Sequence, residues 1–283
     1  MAGPVPVELR RQIRRMEGRA ELARLRGEAA EGVIPLGYPP LDERFEGGGL
    51  QAGTHQAAGP GGAPFAFVCA LLARLSAARP DGRVMLVQEA GALRETGGLY
   101  GPGLQALGVD PEGLAVLGVR TGAEALRATD EALKSGAAAA VVLELWDGEA
   151  LADLSITRRF NLSAQRTGAF AFLVTPTLAA TSAALTRWRV EPARTVGRKG
   201  RLGAPAFALT LERNRLGRTG RWTVEWDGHD RCFRPAAHAA DSPQKSAPEA
   251  LPASVVRPSA DRPAAADGAG GAGRSSGAHR QTG

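Results

Sequence analysis

The chain has 283 residues, 43% of them hydrophobic, and its 35 Lys and Arg against 29 Asp and Glu give a formal net charge of +6. That length allows one or two domains with a real core. No run approaches the roughly 20 apolar residues of a membrane span, Arg10, Arg11, Arg14 and Arg15 interrupt the N-terminus where a signal peptide would be apolar, and His55, His229, His238 and His279 lack ligand spacing, so a soluble cytoplasmic protein with no membrane contact and no metal is expected.

Three segments follow in order: residues 1–31, 32–235 and 236–283. From Val7 to Glu31 the sequence reads as a charged helix. Leu9, Ile13, Met16, Ala20 and Ala23 repeat at spacings of four and three, which places them on one face. Leu22 and Leu25 lie off that stripe. The helix either packs wholly on its own core or offers a second surface to a partner, with Leu9, Ile13 and Met16 as candidate contacts.

The core segment opens with Ile34-Pro35-Leu36-Gly37, Leu41-Asp42 and Phe45-Glu46-Gly47-Gly48-Gly49-Leu50-Gln51-Ala52-Gly53. Next comes Gly59-Pro60-Gly61-Gly62-Ala63-Pro64-Phe65-Ala66, the frame of a phosphate loop, G-x-x-x-x-G-K-[ST]. In a working loop the backbone N–H groups cradle phosphates, the Lys reaches the β- and γ-phosphates and the Ser/Thr hydroxyl holds Mg²⁺. Here Pro64 stands at the second Gly, Phe65 at the Lys and Ala66 at the Ser/Thr. Proline donates no N–H, and neither Phe nor Ala replaces the lost charge or metal ligand. Each missing charged hydrogen bond is worth roughly 1.5–3 kcal/mol, about tenfold to a hundredfold in affinity. ATP hydrolysis and bound cofactor are therefore not expected.

Further along, helices are expected near 65–79, 121–135 and 151–167, alternating with strands near 84–88, 114–119, 139–145 and 170–174. Such alternation predicts a mostly parallel sheet with helices on both faces. Gly136 and Gly168 are placed as helix stops, and Cys69 sits in an apolar helix as a small hydrophobe. Glu89 and Glu144 end two of the strands, where each faces either solvent or a basic neighbour. Phe207-Ala208-Leu209-Thr210-Leu211 alternates as a strand, Gly217-Arg218-Thr219-Gly220 turns, and Trp222-Thr223-Val224-Glu225-Trp226 returns, an antiparallel hairpin at one sheet edge. From Arg187 to Arg221 ten basic residues face two acidic ones, either a patch for a polyanion or acidic surface or a solvated face. Without interleaved aromatics it gives no support to sequence-specific nucleic-acid recognition, and direct DNA binding is left open. Residues 236–283, rich in Ala, Pro, Gly and Ser, cannot bury enough apolar surface to offset ordering and read as a disordered tail.

The order of these strings resembles the RecA recombinase core over about residues 32–235, from the Leu41-Asp42 pair and Gly48-Gly49-Leu50-Gln51-Ala52-Gly53 through Leu107-Gly108-Val109-Asp110, Ser135-Gly136-Ala137 and the strand ending at Glu144. The resemblance implies a RecA-like P-loop NTPase core, α/β, with an N-terminal helix, a C-terminal hairpin and a tail. The departures coincide with catalysis: Glu144 replaces a metal-orienting Asp, and the water-activating Glu position falls near Ala90, one residue after Glu89. The segments matching RecA's DNA-binding loops are short. The degenerate loop, Leu99-Tyr100-Gly101-Pro102-Gly103-Leu104, Glu144-Leu145-Trp146, Thr186-Arg187-Trp188-Arg189-Val190 and Val224-Glu225-Trp226 are similar to the ImuA family of RecA-like mutasome accessory proteins. That resemblance implies a non-catalytic adaptor in SOS-induced, error-prone translesion synthesis. Its implied partners are ImuB and RecA and, indirectly, a DnaE-type polymerase and the sliding clamp; it would join the nucleoid when recruited to damaged DNA. RecA has a basic-Asn-basic run like Arg213-Asn214-Arg215 that reaches the nucleotide of a neighbouring subunit. These residues are therefore candidates to meet RecA in trans, or are simply solvated. Two alternatives stay open: a cell-division inhibitor of the SulA type, and a weak RecA-like ATPase.

Overall fold

The computed structural model describes residues 32–151, 153–195 and 203–236. The expected helix of residues 1–31, with Leu9, Ile13 and Met16, lies outside the described residues, as does the expected tail beyond Ala236.

In chain order the elements are β1 (Val33–Ile34), α1 (Pro39–Asp42), β2 (Leu50–Gln51), β3 (Gly53–Ala58), α2 (Ala63–Ala78), β4 (Val84–Glu89), α3 (Ala90–Thr96), α4 (Gly101–Ala106), β5 (Leu114–Val119), α5 (Gly122–Ser135), β6 (Ala140–Glu144), α6 (Leu154–Thr167), β7 (Phe170–Thr175), β8 (Thr186–Pro192), β9 (Ala206–Asn214), β10 (Gly220–Asp227) and β11 (Cys232–Pro235). Nine of the strands form one sheet in the order β11-β10-β9-β8-β3-β7-β6-β4-β5. The run from β8 to β5 is parallel, and β8 to β11 pair antiparallel. The expected edge hairpin is thus part of a larger antiparallel wing that β8 and β11 extend.

Alternation along the strands divides the core in two. Val84, Leu86, Ala140, Val142, Phe170 and Phe172 face α2, while Val87, Val141, Leu143, Ala171 and Leu173 face the α5 and α6 side. The α2 sequence is apolar nearly all round, the signature of a helix buried on more than one side. Its outer side carries Arg74, which donates to the carbonyls of Pro35 at 2.8 Å and Arg231 at 3.0 Å, tying the N-terminal segment to β11. The other two long helices are amphipathic and capped. Thr121 Oγ1 accepts from Glu124 N at the start of α5, Asp153 Oδ1 accepts from Ser155 N before α6, and Gly136 and Gly168 end them in the left-handed conformation. The cap at Asp153 explains why α6 begins at Leu154 rather than at the expected 151.

The centre of the sheet is unusually polar. β3 is buried throughout although it reads GTHQAA. His55 Nδ1 meets Thr186 Oγ1 at 2.8 Å, Trp188 Nε1 donates to the same hydroxyl at 2.9 Å, and His55 Nε2 meets Gln51 O at 2.8 Å. The bond to a carbonyl fixes the Nε2–H tautomer, so Thr186 donates to Nδ1. Burial lowers the imidazole to about 4 and keeps it neutral. Aromatic packing of Trp188 against Phe67, Phe45 and Trp222 closes the core around this network.

Candidate functional site

The degenerate loop leaves the carboxyl end of β3 and enters α2, at the end of the sheet where open α/β folds place ligands. Two of its glycines have geometric causes. A Cβ on Gly59 would stand 1.9 Å from Val190 O, so β8 approaches too closely for any side chain, and Gly61 turns with φ +58°. Gly62 caps α2 without a side-chain hydrogen bond, and Pro64 occupies the first turn, where its missing N–H costs the helix nothing. Pro64 is buried, and Phe65 and Ala66 pack partly against the core. The loop therefore fits its surroundings as a structural turn; Pro60 and Pro64 contribute no N–H to it, and it carries no lysine.

Two strands beyond β3, β6 ends in Glu144. Gln88 of β4 lies directly opposite it in register, and both side chains turn to the α2 face. Glu144 is 4% exposed. Its Oε2 accepts from Gln88 Nε2 at 2.7 Å, and its Oε1 lies 3.3 Å from Thr96 Oγ1. This corrects the expectation of a strand-end carboxylate facing solvent or a basic neighbour: Glu144 faces an amide and a hydroxyl. Burial pushes its carboxyl above the usual range, against the lowering effect of the Gln88 and Thr96 hydrogen bonds. Thr96 Oγ1 has one proton and also lies 2.9 Å from Ala92 O. One turn along α2, Cys69 is buried, and desolvation plus the charge of Glu144 push its thiol up to about 12; it behaves as the small hydrophobe expected. Glu89 takes no part in this group, because its Oε2 accepts from Trp146 N at 3.1 Å.

Around Glu144 the described residues leave two neighbouring hollows. A cavity of about 220 Å³ runs between Phe65, Thr96, Tyr100 and Leu104, and a second of about 140 Å³ lies between the Gly59–Gly61 loop and Trp146; Thr96 and Glu144 line both. Phe65, which holds the lysine position of the sequence pattern, lines the first of these. Sequence reading missed Gln88, Thr96 and the exposed rings of Tyr100 and Trp146 as members of this site. The only available signals were Gln88 at the end of an apolar strand and the positions of Tyr100 and Trp146 inside family-like strings.

At the amino end of the sheet, Asn214 pairs with Thr186, which pairs with His55, so Arg213-Asn214-Arg215 leaves the sheet opposite to the loop. Arg213 and Arg215 are exposed. Arg213 Nη1 donates to Ser182 O at 3.1 Å. Asn214 Nδ2 donates to Arg44 O and Arg218 O, and its Oδ1 accepts from Leu216 N at 2.9 Å, so this side chain holds the turn. The basic stretch around it is partly spent: Arg187 donates to Ala179 O, and Arg189 pairs with Glu212 at 2.6 Å. Among the described residues no group of His, Cys, Asp and Glu is arranged to hold a metal, and no helix is long and apolar enough to cross a membrane.

No family model matches the chain. Protein ImuA of Caulobacter vibrioides, from strain NA1000/CB15N and from strain ATCC 19089/CIP 103742/CB 15, is 32% identical to it over 217 residues, 68% of this chain and 83% of the relative. The chain belongs to the ImuA family. In this ImuA-family protein the cleft between β3, β4 and β6 holds the buried acid Glu144 and, among the described residues, no cation paired with it. The Gly59–Ala66 loop beside it carries no lysine.

Proposed function

We propose that this chain is a non-catalytic, RecA-like accessory protein of damage-induced, error-prone translesion synthesis, derived from a P-loop NTPase. The observation that carries the proposal is the conjunction of Pro64, Phe65 and Ala66 at the start of α2 with the buried Glu144, which no cation among the described residues meets. Each feature alone weakens Mg-nucleotide binding; together they remove the lysine, the metal hydroxyl and the charge balance on which phosphoryl transfer depends. Membership of the ImuA family favours this reading over a cell-division inhibitor and over an ATPase.

The proposed partners are ImuB and RecA, with a DnaE-type polymerase and the sliding clamp reached indirectly, in the cytoplasm and at damaged DNA. Support for RecA comes from the two ends of the sheet. A chain that serves a neighbour in trans must carry its cations away from its own loop, and the exposed Arg213 and Arg215 lie at that far end. Their guanidinium forks suit phosphate. Purified protein offered ImuB, RecA filaments and labelled ATP tests the whole reading. Binding to ImuB without ATP turnover is expected, and turnover that disappears in Glu144→Gln would refute it. Charge reversal of Arg213 and Arg215 is expected to weaken RecA binding while the fold persists.

A further inference from the structure

Glu144 is a buried acid that no cation among the described residues meets. Among the described residues its oxygens meet Gln88 and Thr96, and no described ion pair includes it. Buried charges elsewhere are paired or neutralised, so this carboxyl is a half-built ion pair. The hollow above it has three further properties. Its walls are apolar, from Phe65, Leu99 and Leu104. Two exposed rings stand near it: Tyr100, 71% exposed, lines it, and Trp146, 46% exposed, lines the neighbouring 140 Å³ hollow on the other side of Glu144. At about 220 Å³ it falls below the roughly 300–1,000 Å³ of sites for drug-sized ligands, which fits one side chain rather than a nucleotide.

We propose that this cleft receives a single basic side chain of a protein partner, its stem against Phe65 and Leu104, its head on the Glu144 carboxylate between Tyr100 and Trp146. Arg and Lys combine an aliphatic stem with a charged tip, and a guanidinium also stacks on aromatic faces. The start of α2 contributes about half a positive charge to the same cleft, which the full charge of Glu144 outweighs. The site is a phosphate cleft with its polarity inverted: where a lysine of the chain once reached out to an anion, a cation from outside reaches in. This rests on the non-catalytic reading only in requiring that no nucleotide fills the cleft.

The test is titration of the ¹⁵N-labelled full chain with butylguanidinium chloride at constant ionic strength, with butanol and MgATP as comparisons. Saturable shifts at the amides of Thr96, Gly97 and Gly98 are expected, absent with butanol and at least tenfold weaker in Glu144→Gln, whose melting curve reports its fold. Phe65→Lys provides a second variant: an ammonium supplied from within is expected to abolish binding. No saturable shift in the parent, or equal affinity in Glu144→Gln, overturns the proposal and leaves the adaptor reading standing. MgATP occupying the same amides more tightly than butylguanidinium overturns both.

Discussion

Strands β3 and β5 make opposite cases within one sheet. β3, with Thr54, His55 and Gln56 in its middle, is buried at every position in the centre of the sheet. β5 reads LAVLGV and lies at the edge, with Val116 53% and Leu117 37% exposed. The apolar strand is wet and the polar strand is dry. Burial here follows position in the strand order, and composition adapts only where a polar group finds a partner. His55 finds two, Thr186 and Gln51, whereas Gln56 has none for either amide atom.

The contrast breaks most sharply by truncation. Trp188, on the β8 neighbour of β3, is 1% exposed and packs on Phe67 at 5.4 Å. Trp188→Ala removes this ring and its bond to Thr186, and is expected to cost about 3–5 kcal/mol. Val116→Ala on β5 is expected to stay within about 0.5 kcal/mol. Urea midpoints of the two variants check the pair; similar losses would mean that the edge is covered in solution.

Acid is expected to act on the centre next. His55 is neutral when folded, its pKa lowered from 6.5 to about 4. The unfolded chain therefore binds more protons between these values, and the His55 contribution, complete above 6.5, is lost as pH falls towards 4. The shift corresponds to about 3 kcal/mol. Asp42 pulls the other way. Burial raises it from 3.8 to about 6, although it accepts from the amides of Leu36, Gly37 and Tyr38. Its contribution is complete below 3.8 and is lost as pH rises through 6. Stability measured from pH 4 to 8 in the parent and in His55→Gln isolates the first term as the slope that vanishes.

The remaining orphan is predicted to be a net burden. Gln56 is 0% exposed with both side-chain polar atoms unpaired, and a buried amide without partners costs about 1–3 kcal/mol. Gln56→Leu, of similar volume, is expected to stabilise the protein by about 1–2 kcal/mol. A raised melting temperature is the result that agrees; a lowered one would point to an ordered water serving the amide.

Legibility followed the same division. The strands near 84–88, 139–145 and 170–174 were readable because they are short apolar runs at buried positions, and the αL stops at Gly136 and Gly168 announced themselves. β3 was not readable as a strand, since GTHQAA has no apolar period and its network needs Thr186 and Trp188 from 130 residues away. At the cleft the loop frame and Glu144 were legible as residue types in a pattern. What faces Glu144 was not, because the register that sets Gln88 opposite it, and the helix that brings Thr96 over it, exist only after folding.

The smallest expected effect sharpens the edge itself. Among the described residues β5 pairs only with β4, and an exposed apolar strand with one free edge is a template for pairing with another chain. A charge there interrupts such pairing without touching the core. Val116→Lys is expected to change the stability of the monomer by no more than about 0.5 kcal/mol and to slow aggregation at high protein concentration, read by light scattering. Unfolding by Val116→Lys would show that β5 is packed despite its exposure. Unchanged aggregation in a folded variant would show that the free edge is already protected, and that the difference between centre and edge ends at burial.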